Sequence, residues 1–281
     1  MMHFTKMEGI GNDYIYIDGF KEHVADPSAL SIRMSRYHFG CSSDGLILIL
    51  PSDKADFRMQ MFNNDGSESG MCGNGIRCVG KYCHDRGLTD KTDFTVEAGD
   101  GKVRLLHLTL DENGKTASVR VDMGTPELAG SKIPSLAEGC PVLGHKVSVN
   151  GREYALTLVN VGNPHAVCFV EDPAKVPVAV DGPAIEVHPD FPEKINVEFV
   201  RVLSPEHIQV RVWERGTGET LACGTGSCAS TVAAVLNGFC GRAISVDLPG
   251  GTLQIEWNEE NNHIYMTGPA DFVYDGEWLK D

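Results

Sequence analysis

The feature that most constrains this chain is a repeat of itself at a fixed spacing. Gly11-Asn12 leads into the strand-like run Tyr14-Ile15-Tyr16-Ile17, and Gly162-Asn163 leads into His165-Ala166-Val167-Cys168-Phe169-Val170. The two asparagines stand 151 positions apart (163 − 12 = 151). The alternating segments FRMQMF, from Phe57, and IQVRVW, from Ile208, keep the same spacing, as do the loop ends CGNG at Cys72 and CGTG at Cys223. Single short matches arise by chance in a chain with 31 glycines, but three in register without a gap mark a duplication.

Each Cys-Gly-x-Gly precedes a segment of helical character, Ile76 to Cys83 stopping near Gly87 and Ser227 to Leu236 stopping at Gly238. Both cysteines are therefore expected just ahead of a helix N-terminus. Each half then closes on a hairpin, Ser118 to Val121 returning from Asn113-Gly114 and His263 to Met266 returning from the polar turn Glu259 to Asn262. Strands dominate, with one principal helix per half, which predicts two α+β domains related by a pseudo-twofold across a ligand-binding cleft. Gly124-Thr125-Pro126 and the Pro-, Gly- and Ser-rich stretch from Gly130 to Gly139 read as a linker. The expected domains are residues 1–122, joined by a C-terminal tail 270–281 that is strand-like at Phe272-Val273-Tyr274, and residues 123–269.

Composition narrows the partners. With 24 Lys+Arg against 39 Asp+Glu and no basic run, the formal charge of −15 argues against nucleic acid and anionic membrane. The opening MMHFTKMEGIGND lacks the layout of a secretory signal, and the apolar run Leu46 to Leu50 is far too short to span a bilayer, so a cytoplasmic protein is expected. Nine cysteines, an odd number, then argue for reduced thiols rather than a disulfide framework. Cys41, Cys140, Cys168 and Cys240 read as small buried hydrophobes, and Cys78 and Cys83 as packing inside the first helix. Cys78, Cys83 and His84 lack the paired spacing of a zinc site, and neither Gly-rich loop has the Gly-Lys-Ser/Thr ending of a phosphate loop. Neither a metal nor a cofactor is expected.

Cys72 and Cys223 are different. The first N–H groups of a helix have no intrahelical partner and carry partial positive charge. A thiol there is expected to be acidified from ~8.5 toward roughly 3.5–7.5. Two such thiols on opposite faces of an amino acid suffice to invert its stereocentre, one removing the α-proton and the other delivering one. The glycines let backbone N–H groups approach the substrate carboxylate, which takes up charge as the carbanion forms. Two acidic thiols at one ligand also predict redox sensitivity through a Cys72–Cys223 disulfide.

The stretches GIGNDY, MFNNDGSESGMCGNGIRC, VGNPHAV, INVEF and WERGTGETLACGTGSCA resemble, in order and over nearly the whole chain, the signature segments of the diaminopimelate epimerase family. The resemblance implies an α+β fold of two pseudo-symmetric domains, each a mostly antiparallel β-sheet or barrel around a central helix. It implies interconversion of LL- and meso-diaminopimelate, in lysine and cell-wall biosynthesis, without pyridoxal phosphate or metal, by a homodimer. It further implies that Cys72 and Cys223 form the acid and base pair, with His165 near them. Asn63, Asn163, Asn196 and Arg215 would hold the distal carboxylate, and Glu214 would meet the distal ammonium or act beside the catalytic pair. Gly73, Asn74, Gly224 and Thr225 match donors around the reacting carboxylate, and Asn12 the contact to the reacting ammonium. Where some relatives carry Gln, this chain has Gly45, which has only backbone to offer.

Duller readings compete at several of these positions. A lone His such as His165 is often purely structural, and Glu214-Arg215 is a possible surface ion pair; the alternation of Val210 and Val212 favours an inward placement instead. Two rival functions are a proline or hydroxyproline racemase, which shares the Cys-Gly-x-Gly loops but lacks this Asn set and GTGET loop, and a non-catalytic two-domain amino-acid-binding protein.

Overall fold

The computed structural model describes residues 1–279. The chain divides into two compact units, Met1–Asp122 with Thr267–Asp281, and Met123–Met266. Residues 280 and 281 of the expected tail lie outside the described residues.

The first unit runs β1 (Met2–Gly9), β2 (Asn12–Asp18), α1 (Pro27–Ser35), β3 (Gly45–Leu50), β4 (Phe57–Asn63), β5 (Glu68–Ser69), α2 (Gly73–Asp85), β6 (Asp93–Glu97), β7 (Val103–Leu110) and β8 (Thr116–Gly124). The second runs β9 (Val142–Val149), β10 (Arg152–Asn160), β11 (Pro164–Phe169), α3 (Val178–Glu186), β12 (Asn196–Ser204), β13 (His207–Glu214), β14 (Gly218–Thr220), α4 (Gly224–Leu236), β15 (Ala243–Leu248) and β16 (Gly251–Trp257), then β17 (Ile264–Gly268). The last strand, β18 (Asp271–Trp278), pairs antiparallel with β1, Met2 opposite Trp278, and so completes the first unit.

The duplication is visible in the pairings. β2 lies parallel to β3 with Tyr14 opposite Gly45, and β11 lies parallel to β12 with His165 opposite Asn196. β4 lies parallel to β6, and β13 to β15. Most other pairs are antiparallel, so each unit is a mostly antiparallel sheet with two parallel steps at corresponding places. The nine-residue helices α1 and α3 also correspond, and the sequence pattern, which predicts one principal helix per half, does not announce them. The reason is local: α1 opens on Pro27 behind an Asp26 cap, and α3 carries Pro183 inside it.

Why the central helices are buried follows from the strands around them. In GLILIL of β3, Leu46 and Leu48 pack with Leu30 and Met34 of α1, while Ile47 reaches α2 at Gly75. A strand covered on both faces reads as a continuous apolar run. Helix α2 is buried from Gly73 to Cys83 and packs on β1, β2 and β7. Helix α4 packs on β10, β11, β12, β13, β15 and β16, and its small residues Ala229, Ser230, Ala233 and Ala234 are fully enclosed. A helix buried on every side lies inside its sheet. Both helices are followed by a glycine in the left-handed region, Gly87 and Gly238, each at φ 73°.

None of the nine cysteines is joined in a disulfide. Cys78, Cys83 and Cys168 are buried, but the reading of Cys41, Cys140 and Cys240 as enclosed hydrophobes is corrected: Cys41 and Cys240 are half-buried, and Cys140 is exposed in the loop between Gly139 and Pro141. Loops run over the surface because their backbone polar groups need water. Among the described residues no helix is long and apolar enough to cross a membrane.

Gly45 tests the packing directly, because a Cβ there would lie 2.0 Å from the Phe62 carbonyl oxygen and 2.9 Å from the Tyr14 ring. Backbone cannot yield as a flexible side chain can, so Gly45→Ala is expected to cost at least about 1–3 kcal/mol. A urea midpoint unchanged from wild type would show that β3 and β4 separate more easily than this packing allows.

Candidate active site

Each of the two sulfurs caps its own helix. Cys72 stands before α2 in an extended conformation (φ −134°, ψ 116°), and Cys223 stands before α4 in nearly the same one (φ −131°, ψ 109°). Cys72 Sγ accepts from Gly75 N at 3.2 Å, and Cys223 Sγ accepts from Gly226 N at 3.3 Å. An N-cap side chain satisfies one of the N–H groups that a helix leaves unpaired, and here sulfur fills the place usually taken by Ser or Asp oxygen. The glycines three residues on are needed by side chains from below: a Cβ at Gly75 would meet Ile47 at 2.7 Å, and one at Gly226 would meet Glu198 Oε1 at 2.8 Å.

In the first unit, the half-buried Cys72 thiol donates to Asn12 Oδ1 at 3.4 Å. Asn12 Nδ2 in turn donates to Asp44 Oδ2 at 2.6 Å. Burial, with Asp13 beside it, raises the Asp44 carboxyl above the usual carboxylate range. Asn74 is buried, and its Oδ1 accepts from Arg77 Nη1 at 2.9 Å, so that oxygen is used inside the protein. Arg77, fully buried, also donates to Pro269 O at 3.0 Å and ties the helix to the chain ahead of β18. Asn63 donates through Nδ2 to Ser67 Oγ at 2.9 Å.

The second unit gathers more ionisable groups. Cys223 is 4% exposed. Thr225 Oγ1 lies 3.5 Å from its sulfur and accepts from Asn163 Nδ2 at 3.2 Å. Asn163 Oδ1 lies 2.9 Å from His165 Nε2, and His165 Nδ1 lies 2.6 Å from Glu198 Oε1. His165 and Glu198 are both fully buried. Glu214, at the end of β13, accepts from Thr220 Oγ1 at 2.5 Å and lies beside the Cys223 thiol. The geometry therefore places Glu214 beside the sulfur of Cys223. Asn196 Nδ2 donates to Pro164 O at 2.7 Å and its Oδ1 accepts from Arg215 N at 2.9 Å, which fixes the turn that presents Arg215. The Arg215 guanidinium donates to Glu193 O at 3.1 Å from an exposed position.

This environment corrects one expectation. Burial pushes the Cys223 thiol well above the ordinary value of 9.0, and the Glu214 carboxyl pushes it further; the bonds from Thr225 and Gly226 pull it down by less. A helix start stabilises an anion by about 0.3–2 kcal/mol. Taking a charge out of water costs several kcal/mol, so burial wins. The motive for a spontaneous disulfide weakens accordingly, because a thiol that holds its proton is a poor nucleophile toward oxidants. Glu214 itself is raised by burial, against the hydrogen bond from Thr220.

Sequence reasoning passed over Glu198, Asp44, Thr220 and Arg77. For Glu198 a signal existed, since it interrupts the apolar run of β12 at the position where the first unit carries Ile47.

Comparison with known proteins places these features in a lineage. The diaminopimelate epimerase family profile matches residues 4–129 and 157–273. A diaminopimelate epimerase of Methanococcus maripaludis is 52% identical over 276 residues, covering 98% of this chain and 99% of its own, and one of Acetivibrio thermocellus is 52% identical over 276 residues, covering 98% of each. Among solved structures, a hydroxyproline epimerase from Agrobacterium vitis is similar with a TM-score of 0.72 at 14% identity, covering 98% of this chain and 90% of its own. A phenazine biosynthesis protein of the PhzF family from Bacillus anthracis gives 0.71 at 20% identity, covering 99% of each chain. At such identities the structural likeness speaks for the fold alone.

The thiol of Cys223 gives a sign to test. The folded chain holds its proton more tightly than the unfolded chain, so this contribution to stability is complete below the ordinary thiol value of 9.0 and is lost as pH rises above it. Denaturant unfolding across that range is expected to show a steeper alkaline decline in wild type than in Cys223→Ala. Parallel declines would contradict the raised thiol.

Proposed function

We infer the reaction from one premise: the chain belongs to the diaminopimelate epimerase family. It interconverts LL- and meso-2,6-diaminopimelate, an isomerase step of lysine and peptidoglycan-precursor biosynthesis, acting on a small-molecule substrate. In this reading Cys72 and Cys223 are the two bases, one sulfur from each unit. The thiolate of one takes the α-proton while the thiol of the other protonates the opposite face, and their roles exchange with the direction of reaction. The observation that carries the assignment is the matched pair of helix-capping sulfurs, one ahead of each buried central helix.

The charge that develops on the reacting carboxylate is assigned to the backbone N–H groups of Gly73, Asn74, Gly224 and Thr225. Preorganised donors in a site with little water stabilise such charge without reorganising. Asn12, held by Asp44, is assigned to the reacting ammonium. At the distal end Arg215 offers a planar fork for a carboxylate, supported by Asn63 and by the second amide N–H of Asn163 and of Asn196. Glu214 and His165 are assigned to the Cys223 side, where the Glu214 carboxyl bears on its sulfur. The need for two reduced thiols supports a cytoplasmic enzyme. A homodimer is proposed from the family resemblance, to be checked by sedimentation.

A proline or hydroxyproline racemase remains the rival enzyme, on a fold likeness at 14% identity. The test is substrate choice with single variants. Diaminopimelate is expected to epimerise and proline not to racemise, and Cys72→Ala or Cys223→Ala is expected to lower kcat by at least about 100–10,000-fold, the range supplied by general acid–base catalysis. Proline turnover by wild type, or near-normal diaminopimelate turnover by either variant, would defeat the reading.

A further inference from the structure

Glu198 has no counterpart in the first unit. The position 151 residues earlier is Ile47, and the position 151 before His165 is Tyr14. Strand pairing puts them in the same places: Val167 lies opposite Glu198 as Tyr16 lies opposite Ile47. One slot beneath a helix-capping cysteine is thus filled by an aliphatic side chain in one unit and by a carboxyl in the other. The fold itself accepts the apolar choice, so packing does not require Glu198.

The carboxyl is also costly. Glu198 is fully buried, and its Oε2 has no hydrogen-bond partner. An unpaired carboxylate oxygen away from water is among the least favourable groups a protein can enclose, whereas the carbonyl oxygen of a carboxylic acid carries no charge. Burial accordingly raises this carboxyl above the usual range.

The hydrogen bonds beyond it then follow from donor and acceptor count. Asn163 donates through Nδ2 to Thr225 Oγ1, so its Oδ1, which can only accept, is the atom that faces His165 Nε2. Nε2 must carry a proton. His165 Nδ1, if the ring is neutral, is then an acceptor, and the only group near it in this contact is Glu198 Oε1 at 2.6 Å. At the other end, Thr225 accepts from Asn163 and keeps its own proton for the Cys223 sulfur at 3.5 Å.

We propose that Glu198 is a positioning residue for the epimerase: held as a carboxylic acid, it donates to His165 Nδ1 and fixes a one-way chain through Asn163 that aims the Thr225 hydroxyl proton at the sulfur of Cys223. The chain offers the thiolate a neutral donor where Glu214 and burial oppose it. Cys72 instead donates to Asn12 Oδ1. The two bases are therefore unequal. The proposal rests on the assignment of Cys223 as acid and base.

Two measurements test it. In the free wild-type protein labelled with nitrogen-15 histidine, the His165 ring is expected to be neutral, protonated at Nε2 and unprotonated at Nδ1. A proton on Nδ1, in either the neutral ring or the imidazolium, overturns the proposal, and this readout needs no turnover, so it fails or stands separately from the epimerase reading. In turnover, Gln at this site can donate to Nδ1 as the acid does, whereas Leu, which the Ile47 slot shows the fold can house, leaves the ring without its anchor. Glu198→Leu is expected to lower kcat by about 10–100-fold, the usual loss when the partner that orients a functional histidine is removed. Glu198→Gln is expected to recover most of that loss, with KM little changed in both. Equal losses in the two variants, or no loss in Glu198→Leu, overturn the proposal.

Discussion

A sulfur atom that caps a helix has two demands placed on it at once. It accepts the helix's first unpaired N–H, which favours the thiolate, and it sits at the edge of a packed core, which favours the thiol. This chain makes that contact twice, at Cys72 and Cys223, on helices whose small residues and glycines leave room for strands to close around them. The rest of the architecture serves the placement: parallel steps bring β3 and β12 beneath the two helix starts, and each strand sends one side chain up to the second glycine of the loop.

Which demand prevails is settled by burial at Cys223. A strongly acidified thiol would be plentiful as thiolate but feeble as a base toward a carbon acid. A thiol held above its ordinary value is a stronger base once ionised, and until then it keeps the proton that the opposite face requires. The duplicated scaffold is thereby made unequal by few changes, with Glu198 and His165 in one unit standing where Ile47 and Tyr14 stand in the other. Symmetry supplies the pair of sulfurs; departures from symmetry set their separate chemistry.

Much of this was legible in the residues. The constant offset located β4 and β13 by alternation and α2 and α4 by the loops that start them and the glycines that stop them. Other parts were hidden for physical reasons. Helices α1 and α3 are short, and α3 contains Pro183, so neither has the pattern that marks a helix; their common spacing was the only clue. The state of Cys223 is not legible locally, because a helix start is a property that sequence reveals, whereas burial and the approach of Glu214 depend on β12 and β13 folding beside it. Asp44 was overlooked beside Gly45 for the same reason, since its hold on Asn12 joins residues far apart in the chain.

The central claim is that inversion uses two separate proton carriers. Epimerisation run in deuterated water and stopped at low conversion tests it most directly. Two carriers predict that the product formed from either isomer holds deuterium at the inverted carbon, while recovered substrate still holds its original hydrogen. Product that retains the substrate's own hydrogen would mean that a single group carries the proton from one face to the other, and the account would be wrong.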